Sequence, residues 1–441
     1  MRAYLAKSTA TGYNNHHMEH FAIRGGKPLQ GEIEVQGAKN AAFPLICASI
    51  LTKEDCVIEN IPLVEDVFRL LEILEGMGAT VKWLKERTIK INTEHINPQK
   101  IDKKRVGRFR GSVLLFGPLL ARFGKVSITL PGGDIIGARP IDTHLDAFRQ
   151  LGISVKANTH GYTLEVPKKF STHEVILGEF SVTATENLLL FASLQEEPII
   201  IKTADQDYQI QELIKYVRAM GVKVKTSGLH VLHVQGQKKL KGARMRLISD
   251  PIEAGTFIAM AAATKGTVLV KNVEVQYLEL FLKKLRDFGI PLEIQKDGKY
   301  THVQVRPWIS LQIDKIQSFI YPGIHSDLQS ALGVLATQAK GSTLLHDPLY
   351  EGRLKYLEEL NKMGAEIYIA DPHRAIINGP TRLHGTDLGT FDLRGGAAMI
   401  MAALIAKGES TINNIYQVDR GYERIEERLR ALGADIRRLT T

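Results

Sequence analysis

Arginines recur in short polar phrases along this 441-residue chain. They are Arg110, Arg139, Arg353, Arg394 and Arg420. A guanidinium group presents a fork of donors that suits phosphate and carboxylate groups. If these arginines converge in the folded chain, they predict a site for small anionic substrates.

Two aspartates accompany these arginines. Asp327 ends the phrase His325-Ser326-Asp327, and Asp392 stands two residues before Arg394. Aspartates at helix starts are most often N-caps, and each of the two fits that interpretation when taken singly. Together with the arginines at the repeat joints, they also fit a convergent anion-binding site. The residues alone leave both interpretations open.

A lysine opens the first small-residue helix, in the phrase Gln36-Gly37-Ala38-Lys39-Asn40. Backbone N–H groups and the helix dipole favour an anion at such a position. A solvated lysine would look the same locally. The small residues that follow leave Lys39 as the long side chain of this segment, which favours anion binding.

The segment from Leu130 to Pro140 holds the densest turn signal, with three glycines and two prolines. Pro-Gly-Gly indicates a flexible entry, and Arg139-Pro140 indicates a rigid exit. A loop of this kind can close over a site and carry an acid into it, which here would be Asp134. An ordinary surface turn also fits the local sequence.

These phrases lie at the joints of six internal repeats. Each repeat contains an amphipathic helix, a hydrophobic-Gly-hydrophobic step and a short alternating strand, and the steps recur about every 70 residues. The glycines are Gly78, Gly152, Gly221, Gly289, Gly364 and Gly433. Each stands where a helix must end in a left-handed conformation. Glycine adopts this conformation without a steric clash because it has no Cβ.

A second kind of helix alternates with the first and is rich in small apolar residues, as in the run Ala397 to Ala406. Helices that are apolar on nearly every face belong in the interior, and amphipathic ones belong outside. Helices enclosed by sheets satisfy both requirements. Six repeats predict two α/β domains of three repeats each, with the active site in the cleft between them.

Composition narrows the function further. The formal charge is +9, which fits either a basic surface or arginines that gather on anionic substrates. The chain contains no Lys/Arg block with interleaved aromatics, so we expect no binding to nucleic acid. No P-loop, GxGxxG, HExxH or GxSxG motif occurs, and the histidines show no ligand spacing, so we expect no metal.

The sequence also bears on where the protein is located and on whether its two cysteines form a disulfide. The longest apolar run is about half of what a membrane span needs, so no membrane insertion is predicted. The N-terminal residues lack the pattern of a secretory signal. Cys47 and Cys56 lie on apolar-periodic stretches and are expected to be buried free thiols. We therefore expect a cytoplasmic protein whose residues 1–20 form a flexible extension.

At these residues the chain resembles the enolpyruvyl transferases, and within them the branch that acts on UDP-N-acetylglucosamine. The similarity runs from about Phe21 to the C-terminus, and its most specific pieces are GAKNAAFP, the IIGARPIDTH loop, FDLR and YQVDRGYERIEERL. The sister branch that acts on shikimate 3-phosphate is expected to carry Gly-Ser-Lys-Ser in place of Gly-Ala-Lys-Asn.

The resemblance implies a fold of two inside-out α/β domains, each of three βαβαββ repeats. The first domain would span residues 39–248 and carry the Asp134 loop. The second would combine 21–38 with 249–441. The implied reaction transfers enolpyruvyl from phosphoenolpyruvate to the 3′-hydroxyl of UDP-N-acetylglucosamine, releases phosphate, and begins peptidoglycan synthesis. No cofactor is implied, and we expect a monomer.

The resemblance also implies a role for each site residue. Asp327 would accept the hydroxyl proton, Asp134 would protonate C3, and Lys39 and Arg420 would assist catalysis. The residues implied to bind phosphoenolpyruvate are Lys39, Asn40, Arg139, Arg353, Arg394 and Arg420. Those implied to bind UDP-N-acetylglucosamine are Arg110, Arg139, Pro140, Ile141, Asp142, Thr143, Ser181, Val182, Asp327 and Leu349.

This chain departs from the family pattern at several of these places. Asp134 stands where many members have a cysteine, so we expect resistance to epoxides such as fosfomycin that alkylate that thiol. Glu179 replaces a lysine, Asp207-Tyr208-Gln209 replaces Glu-Pro-Glu, Pro251 replaces an arginine and Gly352 replaces an asparagine. Loss of a cation near the nucleotide leaves an alternative open, in which the enolpyruvyl acceptor is a different hydroxyl compound.

Overall fold

The computed structural model describes residues 19–107, 110–129, 131–133, 136–159 and 161–440. The predicted extension lies outside the described residues except for Glu19 and His20, which belong to the first strand. Asp134 also lies outside them. Within these ranges the chain forms two compact units.

The first unit comprises Gly37–Gly133 and Pro140–Ile248. The described part of the second unit comprises 19–36, 136–139 and 249–440. The sequence assigned the whole Asp134 loop to the first domain, whereas residues 136–139 group with the second unit. Their backbone is tied there, because the Gly352 N–H donates to the Ile136 carbonyl oxygen at 2.8 Å.

The described residues contain twenty-three strands. They are β1 (Glu19–Arg24), β2 (Gln30–Glu34), β3 (Cys56–Glu59), β4 (Thr80–Lys85), β5 (Thr88–Asn92), β6 (Lys125–Ile128), β7 (Ser154–Asn158), β8 (Gly161–Glu165), β9 (Glu174–Ile176), β10 (Ile199–Lys202), β11 (Lys223–Ser227), β12 (Val231–Gln235), β13 (Arg244–Arg246), β14 (Thr267–Lys271), β15 (Leu292–Asp297), β16 (Tyr300–Val305), β17 (Lys315–Gln317), β18 (Gly341–His346), β19 (Glu366–Asp371), β20 (Arg374–Gly379), β21 (Asp387–Leu388), β22 (Glu409–Asn413) and β23 (Asp435–Thr440).

Fourteen α-helices lie between these strands in the described part of the chain. They are α1 (Lys39–Ala48), α2 (Glu65–Gly76), α3 (Lys103–Val106), α4 (Phe116–Phe123), α5 (Asp142–Gln150), α6 (Val182–Ala192), α7 (Tyr208–Ala219), α8 (Pro251–Ala263), α9 (Glu279–Phe288), α10 (Ser326–Ala336), α11 (Tyr356–Lys362), α12 (Leu393–Ile405), α13 (Tyr416–Asp419) and α14 (Ile425–Ala431). Short 3-10 turns cover Ser49–Leu51, Pro98–Lys100, Arg110–Leu115, Val275–Tyr277 and Arg353–Lys355.

Each unit has three sheets built from its described strands. The first unit has the strand orders β13-β3-β5-β4, β11-β12-β10-β9 and β6-β8-β7, and the second has β15-β16-β14-β2, β17-β18-β20-β19 and β21-β22-β1-β23. Each four-stranded sheet contains one parallel pair, such as β2 with β14, and the other pairs are antiparallel. This is the pattern of βαβαββ repeats.

The core of the second unit consists of three inner helices, α8, α10 and α12, which pack against one another. All thirteen residues of α8 are buried, as its small-residue sequence predicts. The outer helix α9 is amphipathic and buries Phe281, Leu282, Leu285 and Phe288 against this core. Helices lie inside the sheets, which confirms the predicted inside-out α/β fold.

The six repeat glycines end outer helices as the sequence predicts. Their φ angles range from +84° at Gly152 to +110° at Gly221, in the left-handed region. A side chain at these positions would be strained whatever space surrounds it. The predicted free thiols are also confirmed, because Cys47 and Cys56 are both buried and unbridged.

Candidate active site

A buried ion-pair cluster, here called the Asp327 cluster, comprises Asp327, Arg353, Arg394 and Asp392. The two carboxylate oxygens of Asp327 accept from different guanidiniums, from Arg353 Nη2 at 2.9 Å and from Arg394 Nε at 3.0 Å. The Arg353 and Arg394 side chains are 4% and 3% exposed, and that of Asp327 is 17% exposed. Asp327 is therefore the most exposed side chain of the cluster.

Helix starts place these side chains together. Asp327 lies in the first turn of α10, and Arg394 lies in the first turn of α12. Asp392 caps α12 by accepting from the backbone N–H groups of Arg394 and Gly395. The N-cap interpretation of Asp392 is thus correct, while Asp327 pairs with both arginines through its side chain.

The Arg353 guanidinium is held on several sides. Besides Asp327, it contacts Asp392 at 3.4 Å and Ser326 Oγ at 3.2 Å. Ser326 Oγ in turn donates to Asp347 Oδ2 at 2.5 Å. Burial by itself would lower the pKa of Arg353, but Asp327 and Asp392 outweigh it and the pKa is raised. The site therefore holds a permanently charged cation in a fixed orientation.

Arg394 is held in a similar way. Its guanidinium lies 5.1 Å from the centroid of the Tyr422 ring, and the Tyr422 hydroxyl is hydrogen-bonded to Thr256 Oγ1 at 2.8 Å. Burial opposes the charge, yet Tyr422 and Asp327 raise the pKa of Arg394 well above its ordinary value. Both arginines are therefore held as charged hydrogen-bond donors in a fixed arrangement, which could bind an anion.

Tyr350 joins this cluster to the end of the predicted loop. Its ring lies 5.2 Å from the guanidinium carbon of Arg353 and 5.8 Å from that of Arg139. Arg139 itself has φ +43°, an uncommon angle for a residue with a side chain. The structure therefore brings Arg139 near the Asp327 cluster, with the Tyr350 ring as the shared contact.

The two remaining predicted residues of the second unit, Arg420 and Leu349, have contacts of their own. Arg420 Nη1 donates to Gln417 Oε1 at 2.9 Å, and its side chain is buried. The Leu349 N–H donates to Asp347 Oδ1 at 3.0 Å. Asp347 thus connects Leu349 to Ser326 at the start of α10.

In the first unit, Lys39 is the first residue of α1, as expected, and it is 7% exposed. Its ammonium lies 3.4 Å from Asp66 Oδ2 and 5.6 Å from the centroid of the Phe43 ring. Asn40 follows and is half-buried. Burial excludes the solvated-lysine interpretation.

The residues predicted to line the acceptor site also lie in the first unit. Arg110 Nη2 donates to the Pro140 carbonyl oxygen at 3.2 Å. Ile141 is buried and precedes α5, and Asp142 and Thr143 form the first turn of that helix. The structure thus joins Arg110 to this segment.

The start of α6 completes the predicted acceptor side. Ser181 caps the helix by accepting from the Ala184 N–H at 3.3 Å, and Val182 is its first residue. Glu179 stands just before and accepts from Thr143 Oγ1 at 2.7 Å. The departure at Glu179 therefore places a carboxylate in contact with the segment predicted to bind the nucleotide.

Two of the other departures have local structural roles. Asp207 is buried and caps α7 by accepting from the Tyr208 N–H at 2.7 Å. Pro251 occupies the first position of α8, where a missing N–H costs nothing, and Asp250 caps that helix. Both changes stabilise helix starts.

Several site residues escaped sequence reasoning. Asp66, Asp347 and Tyr350 belong to no phrase that drew attention, yet each contacts a predicted residue. Tyr422 stands two residues after Arg420, and this closeness in sequence could have marked it as a candidate site residue. Among the described residues no His/Cys/Asp/Glu group could hold a metal, and none of their helices is long and apolar enough to cross a membrane.

Two three-repeat α/β units with buried arginines around one carboxylate have the architecture of an enolpyruvyl transferase. Residues 23–429 match the sequence profile of EPSP synthase (3-phosphoshikimate 1-carboxyvinyltransferase), and the chain belongs to this family. Among solved structures, the enolpyruvyl transferase NikO from Streptomyces tendae superposes with a TM-score of 0.87 at 22% identity, over 96% of this chain and 100% of that one. EPSP synthase from Acinetobacter baumannii gives 0.74 at 18% identity, with the same coverage.

Two curated relatives are similar over nearly their whole length. UDP-N-acetylglucosamine 1-carboxyvinyltransferase of Halothermothrix orenii is 40% identical over 422 residues, which cover 96% of this chain and 100% of the relative. The protein of the same name from Treponema denticola is 38% identical over 423 residues, which cover 95% and 99%.

Proposed function

We propose that this protein transfers the enolpyruvyl group of phosphoenolpyruvate to the 3′-hydroxyl of UDP-N-acetylglucosamine and releases phosphate, the first committed step of peptidoglycan synthesis. The observation that carries the proposal is Asp327, whose carboxylate is held by two buried arginines. The names of the curated relatives support the choice of substrates.

In the proposed reaction the acceptor oxygen attacks C2 of phosphoenolpyruvate while Asp327 accepts the hydroxyl proton. A proton is added to C3, and the resulting tetrahedral adduct retains the phosphate on C2. Loss of a C3 proton then re-forms the double bond as the C2–O bond to phosphate breaks. Arg353 and Arg394 would stabilise the negative charge of the substrate throughout.

The pairing of Asp327 gives this base a built-in dependence on substrate. Two guanidiniums favour the ionised carboxylate and so weaken it as a base. An anionic substrate that takes over Arg353 and Arg394 would remove that stabilisation. We therefore propose that phosphoenolpyruvate activates Asp327 by competing for its partners.

We propose that Asp134 is the acid that protonates C3. We also propose that phosphoenolpyruvate is bound by Lys39, Asn40, Arg139 and Arg420. A carboxyl group can protonate carbon near neutral pH when burial or neighbouring carboxylates raise its pKa. We also propose a monomeric, cytoplasmic enzyme that needs no cofactor.

Phosphate release from phosphoenolpyruvate tests the reaction. Release should require UDP-N-acetylglucosamine and should collapse in Asp134→Asn. Lys299→Gln, in the exposed turn between β15 and β16, is the control. Release that is equal without the nucleotide sugar would overturn the proposal.

Fosfomycin separates the acid from the rest of the site. The wild type should keep its activity in this epoxide, while Asp134→Cys should be inactivated because a thiolate is alkylated there. Inactivation of the wild type at ordinary concentrations would show that Asp134 does not confer resistance.

Glu179 favours a second candidate acceptor. Its carboxylate bonds Thr143 in the segment proposed to bind the nucleotide, where a negative charge would repel a diphosphate. The alternative is a hydroxyl acceptor with less negative charge. If Glu179→Lys lowers the KM for UDP-N-acetylglucosamine and the wild type prefers an uncharged sugar, the alternative replaces the first proposal.

A further inference from the structure

Two of the three inner helices of the second unit begin with a carboxylate cap. Asp250 caps α8 by accepting from the N–H groups of Ile252 and Glu253, and Asp392 caps α12. Helix α10 differs, because its N-cap is His325, whose Nδ1 accepts from the Asp327 N–H at 3.1 Å. The odd cap thus stands on the helix that carries the Asp327 carboxylate.

We propose that His325 is a positioning residue, a neutral cap that fixes Asp327 without adding a negative charge beside it. This inference rests on the proposed function of Asp327 as the base. It assigns to His325 an effect on the reaction that passes through the backbone of α10 and needs no contact with substrate.

The geometry dictates the state of the ring. An imidazole nitrogen that accepts a hydrogen bond carries no proton, so Nδ1 is the bare nitrogen and Nε2 carries the hydrogen of the neutral ring. The accepted bond holds the N–H of Asp327 itself, rather than one further along the helix. It therefore restrains the residue whose side-chain angles determine where the base lies.

Charge explains why a carboxylate cap would serve this helix poorly. Asp327 is faced by Arg353 and Arg394, and the carboxylate of Asp392 already lies 3.4 Å from Arg353. A further carboxylate two residues from Asp327 would raise its proton affinity and compete for the same guanidiniums. The neutral imidazole accepts the hydrogen bond of the Asp327 N–H. It does not compete for Arg353 and Arg394, which stay available to Asp327 and to the substrate.

Three substitutions separate positioning from simple capping. His325→Asn retains a neutral acceptor and should keep kcat within about threefold of the wild type. His325→Ala removes the acceptor and should lower kcat about tenfold at unchanged KM for the acceptor, because a small displacement of a catalytic group costs up to about 10²-fold. Asp102→Ala, which removes the side-chain cap of α3, is the control for a lost cap elsewhere.

The decisive variant is His325→Asp. Aspartate is a strong N-cap and its charge suits a helix start, so the melting temperature should equal or exceed that of the wild type. The added charge should nevertheless move the acidic limb of the kcat/KM profile upward by about one pH unit. A purely structural cap would leave that limb in place.

Either of two results would overturn the inference: an unchanged pH profile in His325→Asp, or wild-type kcat in His325→Ala. An inactive wild type would instead refute the proposed function. In that event a double-mutant cycle of His325→Ala with Asp327→Asn, measured by melting temperature, still tests the coupling. Strictly additive shifts would then reject it.

Discussion

The two groups of candidate site residues differ in how they hold charge. In the first unit, the Lys39 ammonium lies 3.4 Å from the Asp66 carboxylate. In the second unit, Arg353 and Arg394 hold the two oxygens of Asp327 at 2.9 and 3.0 Å. A lysine is a compact charge on a flexible stem, whereas an arginine fork has a fixed geometry.

The two groups also differ in how firmly their cations are held. The Asp327 cluster has little freedom, because each arginine also packs against a tyrosine ring, Tyr350 or Tyr422. Lys39 starts α1, where Ala38 provides no side-chain cap. The Asp327 cluster is therefore the more rigid of the two groups.

The largest expected effect comes from the centre of the rigid cluster. Asp327→Asn keeps the shape of the side chain but removes its capacity to accept a proton. We expect kcat for phosphate release to fall by about 10²–10⁴-fold. Measurement at saturating concentrations of both substrates checks this, and a kcat within tenfold of the wild type would assign the base elsewhere.

A smaller loss is expected at Lys39. If Lys39 binds phosphoenolpyruvate as proposed, Lys39→Gln removes one charged contact, which is worth about 1.5–3 kcal/mol. The kcat/KM for phosphoenolpyruvate should therefore fall by about 10–150-fold. Lys39→Arg serves as the matched control for charge, and equal kinetics in Lys39→Gln and the wild type would remove this residue from the site.

His144 gives the first unit a specific sensitivity to acid. Burial, and then the charge of Arg110, lowers the pKa of His144 to about 3, against about 6.5 in an unfolded chain. Between these values the unfolded state binds the proton and the folded state does not. Stability present above about pH 6.5 is therefore lost as the pH falls, by about 2 kcal/mol between pH 7 and pH 5.

The two tryptophans allow the pH-dependent loss of stability to be measured in the first unit alone. Trp83 lies in the first unit and Trp308 in the second, so Trp308→Phe leaves a reporter for the first. Urea unfolding of that protein at pH 5 and pH 7 should show the loss, and His144→Asn should reduce it. An equal loss in both proteins would refute the assignment to His144.

The partner of Lys39 should matter less than Lys39 itself. Asp66→Asn leaves the ammonium in place but removes the charge that orients it, an effect of about 1 kcal/mol. We expect kcat/KM for phosphoenolpyruvate to fall about fivefold. Asp55→Asn, at an exposed ion pair with Lys90, is the matched control. A loss as large as that in Lys39→Gln would make Asp66 a direct participant.

The smallest effect concerns the aromatic contacts around the rigid cluster. Tyr350→Leu removes a ring face from Arg139 and Arg353, and such contacts are worth about 0.5–1 kcal/mol at exposed sites. A rise of two- to fivefold in the KM for phosphoenolpyruvate is expected. Tyr350→Phe retains the ring and should match the wild type; if it fails as badly as leucine, the hydroxyl matters rather than the ring.

Sequence reasoning reached the fold because the fold is repetitive. Six glycines at regular spacing mark helix ends. Their φ angles are left-handed, a conformation that few other residues adopt, so the glycines are a reliable mark. The pairing of Asp327 with Arg353 and Arg394 was suggested by their position at repeat joints. Asp66 was not found, because an acid in the first turn of a helix is ordinary there. Tyr350 was not found because nothing in its spacing separates it from a core tyrosine.

The place of the first strand determines the order in which the units can be completed during synthesis. β1 lies between β22 and β23, so that Phe21 pairs with Ile412 on one side and Arg438 on the other. The first unit ends at Ile248 and can close while later residues are still being made. The second unit must hold its opening strand unpaired until nearly four hundred further residues have emerged. During this delay both edges of β1 are open to wrong partners.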